Sequence, residues 1–463
     1  FNTHNASLHL DDLRVVIKFR SNSIKLMKYC ILFLAIVLSS CSNNNQTDDN
    51  PFSGHSPWPE IRIERINTLL PEAMERSGVD VWAVVCRENN NDPLALHIGC
   101  ENAGGTAVFL FNRIETGIHS IAFSPVGEAT ALRDVAMHDS VAIVARGESA
   151  ITMAGDHLRR TNPSVIALNY SSSNALADGL SHTQYQAMIS ALGPQLANMI
   201  TSSEVLVYEW LSVKLPAEIE ILRTAAELTA AREVEAYKQV IPGESTDADI
   251  ARFLKSKMAE FGVGDAWAPE QNPNVNSGAD RGHSHSTDKV IMPGDVIQID
   301  FGIRVYDTWV TDIQRFAYVL HPDEIEAPEH IQHYWEVARE GVQIAARAMV
   351  PGATGYEVDK AQREWMRANG SLPVIWSTGH PVGYVAHDIG PALGGAQEGR
   401  TPWPSALKPI RVGNVFAFDG FYSWEIEGGT KTISVEEMVH ITENGAEFLV
   451  PPQKDLILIP TNR

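Results

Sequence analysis

Four carboxylates sit inside apolar, strand-like runs of the second half of the chain: Asp300 in VIQIDFG, Asp312 in VTDIQR, Asp419 in VFAFDGF and Glu436 in ISVEEMV. His380 and His387 follow one another in STGHPVGYVAHD, and His283 stands in GHSHST. Each alone has a plain explanation, an Asp as turn former or backbone acceptor and a His as a solvated loop residue. Together they are harder to dismiss. Burying an unpaired carboxylate is costly, and mutual repulsion at low dielectric makes such a set untenable without cations. Carboxylate oxygens with a single imidazole suit Mn²⁺, Zn²⁺, Co²⁺ or Fe²⁺ rather than a thiolate-seeking metal. Several carboxylates also allow bridging, hence two ions about 3.5 Å apart.

The elements that must position these residues come in blocks. Pro216–Val240 and Thr246–Phe261 have helical periodicity, the second opening on a Thr246 cap with Asp249 three residues on. Strand-like runs follow at Lys289–Phe301 and Arg304–Leu320, then helices at Ala327–Met349 and Gly355–Asn369. Val412–Tyr422, Lys431–Thr442 and Phe448–Val450 read as strands again. Blocks of this kind predict an α+β domain with an antiparallel sheet rather than a wound parallel one. Their order hints at a duplication that no residue-level repeat supports. Ahead of a division near residues 206–216, the runs VDVWAVVC, TAVFLF, IHSIAF and SVAIVA are separated by helical stretches such as Ile61–Ser77 and Ser181–Leu192. That alternation predicts an α/β layer. It holds no phosphate-cradling glycine loop, nucleophile elbow or His/Cys cluster, so its expected task is to shape or cover a site elsewhere.

The 463 residues suffice for two or three domains, and 57 acidic against 36 basic residues give a formal charge of -21. That balance argues against a nucleic-acid partner and against charge-driven adsorption to anionic lipid. From Met27 a short basic start leads into about ten apolar residues and then small residues before Cys41, the pattern of a signal peptide rather than a span of about 20 residues. Leu38-Ser39-Ser40-Cys41 resembles the lipobox of bacterial lipoproteins, whose cysteine is lipidated. The reading is a start at Met27, upstream sequence plus signal over 1–41, and a polar tether over 42–57. It implies an exported lipoprotein, anchored to a membrane through Cys41 on its periplasmic or cell-surface side. Cys86 and Cys100 remain, and both a disulfide and buried free thiols are open to them.

The ordered acids and histidines resemble the creatinase, prolidase and methionine aminopeptidase superfamily, from about Leu215 to the C-terminus. GDVIQIDFG, TDIQR, GHPVGYVAHD and SVEEMVHITENGAEFL carry the resemblance. It implies a C-terminal pita-bread domain over 211–463 and a smaller creatinase-type N-terminal α/β domain over 58–210. It also implies two divalent ions, manganese first, held by Asp300, Asp312, His380, Asp419 and Glu436. His387, His283 and Glu436 take the catalytic roles. The implied reaction is hydrolysis of peptide bonds near a free N-terminus, at Xaa-Pro bonds, on a peptide partner, with a homodimer allowed. Three departures stand out. Asp419 replaces the family's Glu, the Asp300-to-Asp312 spacing of twelve is one more than expected, and Gln314 stands where the family has Thr. They keep two rivals in view, a metal-independent creatinase-like hydrolase and a degenerate, lipid-anchored peptide-binding protein. Trp309, Trp376 and Tyr384 are candidates for a proline-sized pocket, although core packing is the commoner use of such aromatics.

Overall fold

The computed structural model describes residues 50–100, 104–282 and 284–461. The first half forms β1 (Val81–Arg87), β2 (Thr106–Ile114), β3 (Gly117–Pro125), β4 (Ser140–Val144), β5 (Ile166–Leu168) and β6 (Ile200–Ser202), ordered β4-β3-β2-β1-β5-β6. β1, β2 and β3 pair antiparallel, while β4, β5 and β6 join in parallel. On β1, Trp82, Val84 and Cys86 share one core with helix α1 (Trp58–Ser77). Val81, Ala83 and Val85 share another with α2 (Ala150–Thr161) and α3 (His182–Ala197). Burial on both faces explains why VWAVVC is apolar without a break. The two three-residue strands, IAL and ITS, are too short to show any period in the sequence.

A short helix, α4 (Glu204–Leu211), leads to α5 (Pro216–Tyr237) and α6 (Asp247–Phe261). The reciprocal Thr246–Asp249 capping box is present at the start of α6. The second sheet has eight strands: β7 (Asn274–Ser277), β8 (Val296–Phe301), β9 (Ile313–Val319), β10 (Gly379–Pro381), β11 (Val415–Ile426), β12 (Gly429–Thr442), β13 (Gly445–Phe448) and β14 (Ile457–Ile459). Its path runs β10-β11-β12-β9-β8-β7, with β13 added to β12 and β14 to β9. β14 is parallel to β9 and every other pair is antiparallel. Helices α7 (Glu329–Ala348) and α8 (Gly355–Ala368) intervene between β9 and β10. This is the pita-bread fold, with the antiparallel sheet expected from the block order.

Two strands differ from their sequence readings. Pro293 and Gly294 form a turn closed by Asp295 N–H to the Met292 carbonyl at 3.1 Å, so the strand itself starts only at Val296. The run Arg304–Leu320 is broken at Tyr306 and Asp307, whose φ angles are 51° and 56°. That turn folds Ile303–Val305 back on Trp309–Val310 and absorbs the extra residue between Asp300 and Asp312.

Both sheets belong to one packed unit running on from Phe52, and a buried polar seam joins them. Arg65 of α1 pairs with Glu218 of α5 at 2.5 Å, both side chains fully buried. Glu218 also accepts from Tyr384 OH at 2.6 Å and Trp309 Nε1 at 3.2 Å. Lys214 pairs with buried Asp388 at 3.1 Å and lies over the Tyr384 ring, its Nζ 4.5 Å from the centroid. Trp309 and Tyr384 are therefore seam residues, packed edge-on to Trp58 of α1. Of the three aromatics only Trp376 reaches the cavity described below. Among the described residues no helix is long and apolar enough to cross a membrane. Cys41, the Met27 start and His283 lie outside the described residues.

Candidate metal centre

Strand register explains how residues far apart in sequence meet. Asn274 on β7 faces Asp300 on β8, and Asp300 faces Gln314 on β9. Gln314 faces Glu436 on β12, and Glu436 faces Asp419 on β11. Directly opposed residues share one side of a sheet, so these five form a single row across five strands. Asp312 lies two residues before Gln314, and His380 on β10 faces Ala417, two residues before Asp419. Both therefore take the side of the row. The row, Asp312, His380 and His387 all line one cavity of about 810 Å³.

Close backbone packing holds the strands that carry these groups. At Gly302, after Asp300, a Cβ would fall on the Thr311 carbonyl and the Trp267 ring. At Gly420, after Asp419, it would fall on the Ala338 carbonyl of α7. Asp419 faces away from that helix and toward the cavity, with its N–H bonded to the Thr378 carbonyl at 2.8 Å. On α8, Asp359 accepts from Thr378 Oγ1 at 2.7 Å and Arg363 donates to the Val374 carbonyl at 2.8 Å, which anchors the segment leading to His380.

The centre of the cavity is a cluster of donor atoms. His380 Nε2 lies 3.6 Å from Asp312 Oδ2 and 3.8 Å from Glu436 Oε1. One ligand atom from each of the three lies within 4.8 Å of the others. His380 Nδ1 is 3.2 Å from the Pro381 carbonyl, which can only accept, so in the neutral ring Nε2 carries the lone pair that faces the carboxylates. The His387 ring stands 4.2 Å from that of His380, centroid to centroid. Asp300, Asp312, Asp419 and Glu436 are each less than 10% exposed. Burial, then the charges of Glu436, Asp300 and Asp419, push the Asp312 carboxyl far above its ordinary range. Burial, then Glu436 and Asp300, do the same to Asp419. Asp419 Oδ1 is buried and meets no hydrogen-bond donor among the described residues. An orphaned oxygen amid crowded carboxylates and one oriented imidazole is a donor set compatible with a divalent cation.

Two groups in or beneath the row have no assigned role in the sequence reading, where Gln314 figures only as a departure and Glu233 not at all. Gln314 donates from Nε2 to Glu436 Oε2 at 2.8 Å, and its Oε1 accepts from Gln298 at 2.5 Å and Ser434 at 2.9 Å. It leaves Oε1 of Glu436 directed at His380. Beneath the row, Glu233 of α5 is fully buried with both oxygens unpartnered among the described residues. Burial raises its pKa well above the usual value, with Arg315 opposing and Asp300, Glu437 and Glu436 reinforcing. The signal lay in its spacing. Glu233 continues the buried stripe Ala226, Thr229, Tyr237 on α5, and an acid on an apolar stripe marks a buried charge.

A family model described as metallopeptidase family M24 matches residues 220–443, which include all five candidate ligands. That segment, just under half of the chain, is similar to metallopeptidase family M24. An Xaa-Pro dipeptidase of Pyrococcus furiosus is 27% identical over 253 residues, 53% of this chain and 65% of that protein, just under two thirds of its length. An uncharacterised peptidase of Bacillus subtilis, YqhT, is 26% identical over 74% of this chain and 91% of its own. Among solved structures, an X-Pro aminopeptidase from Thermotoga maritima superposes with a TM-score of 0.62 at 22% identity, covering 84% of this chain and 100% of its own. A prolidase from Pyrococcus furiosus gives 0.57 at 18% identity, over 83% and 100%. At these identities the structural likeness speaks for the fold, from the six-stranded sheet through the M24 segment.

Proposed function

We propose that this chain is a metal-dependent exopeptidase that hydrolyses peptide bonds close to a free N-terminus, with Xaa-Pro bonds as the preferred class. One observation carries the reading: buried carboxylates from four adjacent segments and an oriented imidazole face one cavity, with Asp419 Oδ1 meeting no hydrogen-bond donor among the described residues. Asp300, Asp312, His380, Asp419 and Glu436 would hold two divalent ions, manganese the first to try. Such ions lower the pKa of coordinated water from 15.7 to about 7 and polarise a carbonyl. Glu436 would take and return a proton, a role supported by the Gln314 bond to its Oε2 and by Oε1 lying 3.8 Å from His380 Nε2. His387, beside His380, donates a hydrogen bond to the oxygen that gains charge. His283 serves the leaving nitrogen. The names of the relatives support the proline preference, and the crowded carboxylates support the metal requirement.

The same reading extends to place. Cys41 is lipidated and tethers 58–463 through 42–57 to the outer side of a membrane, with 58–210 covering the catalytic part. The Cys86–Cys100 disulfide suits the oxidising surroundings of an exported protein. The rival with an observation behind it is a binding protein on the same fold, because the Gln314 amide occupies one oxygen of Glu436. An Xaa-Pro peptide panel, run with Mn²⁺, Co²⁺ and Zn²⁺ after chelator treatment, separates them. Metal-dependent release of the first residue supports the peptidase. Peptide binding with no turnover under any of the metals overturns it.

A further inference from the structure

His387 stands on a loop without regular structure, and its neighbour Asp388 holds that loop together. The loop leaves β10 after Pro381 and closes where the Asp388 N–H meets the Pro381 carbonyl at 2.9 Å. Within it Val385, Ala386 and His387 line the cavity. The Asp388 side chain, by contrast, is fully buried. Its Oδ2 accepts from the Tyr384 N–H at 2.9 Å and its Oδ1 from the Ile389 N–H at 2.8 Å, so one carboxylate ties the chain on both sides of His387. A buried carboxylate needs a counter-charge, and Lys214 supplies it. Lys214 Nζ lies 3.1 Å from Asp388 Oδ2, donates to the Leu211 carbonyl at the end of α4 at 2.7 Å, and stands 4.5 Å from the centre of the Tyr384 ring. Those contacts engage the three donors of an ammonium. The lysine is packed hard against the loop, since a Cβ at Gly383 would overlap its Cε. Its own backbone is fixed by an N–H bond to the Gly413 carbonyl at 2.8 Å.

We propose that Lys214 is a positioning residue for His387: by pairing with Asp388 it fixes the loop that presents the imidazole beside His380. This rests on the peptidase reading above, which gives His387 its task, and deepens it with a residue that does not line the cavity. Without Lys214 the Asp388 carboxylate is buried with no counter-charge, so it takes up a proton or turns toward water. Either change weakens its hold on the Tyr384 N–H. The His387 ring, now 4.2 Å from that of His380, is then free to swing. The first half of the chain backs the same loop, because Arg65 of α1 and the His97 ring both pack against Tyr384.

The test is a double-mutant cycle on the full chain loaded with Mn²⁺, using the Xaa-Pro peptide it cleaves best. Lys214→Met should lower kcat about 100-fold, the cost of misplacing a catalytic group by about 1 Å, with a smaller change in KM. Placed on His387→Ala, the same substitution should cost less than about 3-fold, because the group it positions is gone. A loss as large on His387→Ala as on the parent would make Lys214 a matter of folding alone and overturn the assignment. Gly383→Ala, which pushes the lysine aside and keeps both charges, should give the same pattern in milder form and serves in its place if Lys214→Met folds poorly. Amide exchange is read separately on the chelator-treated chain. There Lys214→Met should speed exchange over 382–389 by about 10-fold, the worth of one hydrogen bond, and leave β11 and β12 unchanged. Unaltered exchange over 382–389 also overturns the assignment. A parent that cleaves no peptide, with faster loop exchange in the variant, would sink the peptidase reading and leave the hold of Lys214 on the loop standing.

Discussion

Glu218 and Asp312 are both buried carboxylates downstream of α4, and the chain treats them in opposite ways. At the seam, each oxygen of Glu218 accepts two hydrogen bonds, from Tyr384 and Trp309 on one and from Arg65 and Leu215 on the other. Burial works to raise its pKa, but Arg65, Lys214 and those bonds outweigh it and hold the group below the ordinary value. In the cavity, Asp312 has carboxylates for neighbours, and burial and repulsion act in the same direction. A fold that can complete a buried acid at the seam, yet crowds several acids together in one cavity, keeps the second set for something other than stability. On the proposed reading, a cation from outside the chain completes that set.

Breaking one member of each set gives the largest contrast. Asp312→Asn should cut metal-dependent turnover by about three orders of magnitude or more, yet leave the metal-free protein as stable as the parent or more so at pH 8, because it removes repulsion. Arg65→Met should do the reverse. It strands a buried Glu218 and should cost about 3–5 kcal/mol of unfolding free energy, with metal stoichiometry unchanged in whatever protein stays folded. Urea melts of the chelated proteins, with metal analysis alongside, check both. An Asp312→Asn protein as unstable as Arg65→Met would erase the distinction.

A pH series sharpens it. Asp312 and Asp419 have folded pKa values above their unfolded ones, so their contribution is fully present below about pH 4 and is lost as pH rises through the folded values. Metal ions should therefore raise the melting temperature more at pH 8 than at pH 5. The first half responds with the opposite sign. Burial, aided by Arg65, lowers the His97 pKa to about 3, and burial lowers that of His138 to about 4. Their stabilisation is present above pH 6.5 and drains away as pH falls toward those values. The limiting slope is about 1.4 kcal/mol per pH unit for each histidine. His97→Leu should flatten the acid limb of the stability curve without altering the metal effect at pH 8. An unchanged acid limb would show that His97 is not the group being titrated.

What the sequence disclosed follows from the range of the interactions. Asp300, Asp312, His380, Asp419 and Glu436 each stand in a local pattern, an acid in an apolar run or a His after Gly, and patterns of that kind are visible without coordinates. Their alignment in one row depends on register between strands more than a hundred residues apart, as for Gln314 and Glu436, and no local pattern encodes that. Gln314 shows the loss most clearly. As a residue type it is merely a missing hydroxyl, and only the register turns it into the group that fixes Glu436. The Trp309 and Tyr384 side chains were candidates for the pocket because they lie beside its motifs. They belong to the seam because α1, remote in sequence, brings Arg65 and Trp58 to them. The turn at Tyr306 and Asp307 breaks a run, Arg304–Leu320, that reads as one strand, and only the count of twelve from Asp300 to Asp312 hints at extra length there.

The smallest effect tests whether Asp419 is a defect or an adjustment. Its backbone cannot shift to compensate for a shorter side chain, since Gly420 is pressed against the Ala338 carbonyl and the Asp419 N–H is held by Thr378. The side chain alone must span the gap, and Asp419→Glu adds one methylene of reach into a cavity with room for it. If the site has adjusted, through the amide that Gln314 supplies to Glu436, the longer acid should change kcat/KM by less than about 10-fold and tighten the weaker of two metal sites modestly, within the 10- to 100-fold range that ligand surroundings command. Calorimetric titration with Mn²⁺ reads the second quantity directly. A gain in turnover beyond about 100-fold would mean that the natural carboxylate holds its ion poorly. The row would then be an incomplete centre, and the contrast with the fully satisfied seam would measure lost function rather than function retained.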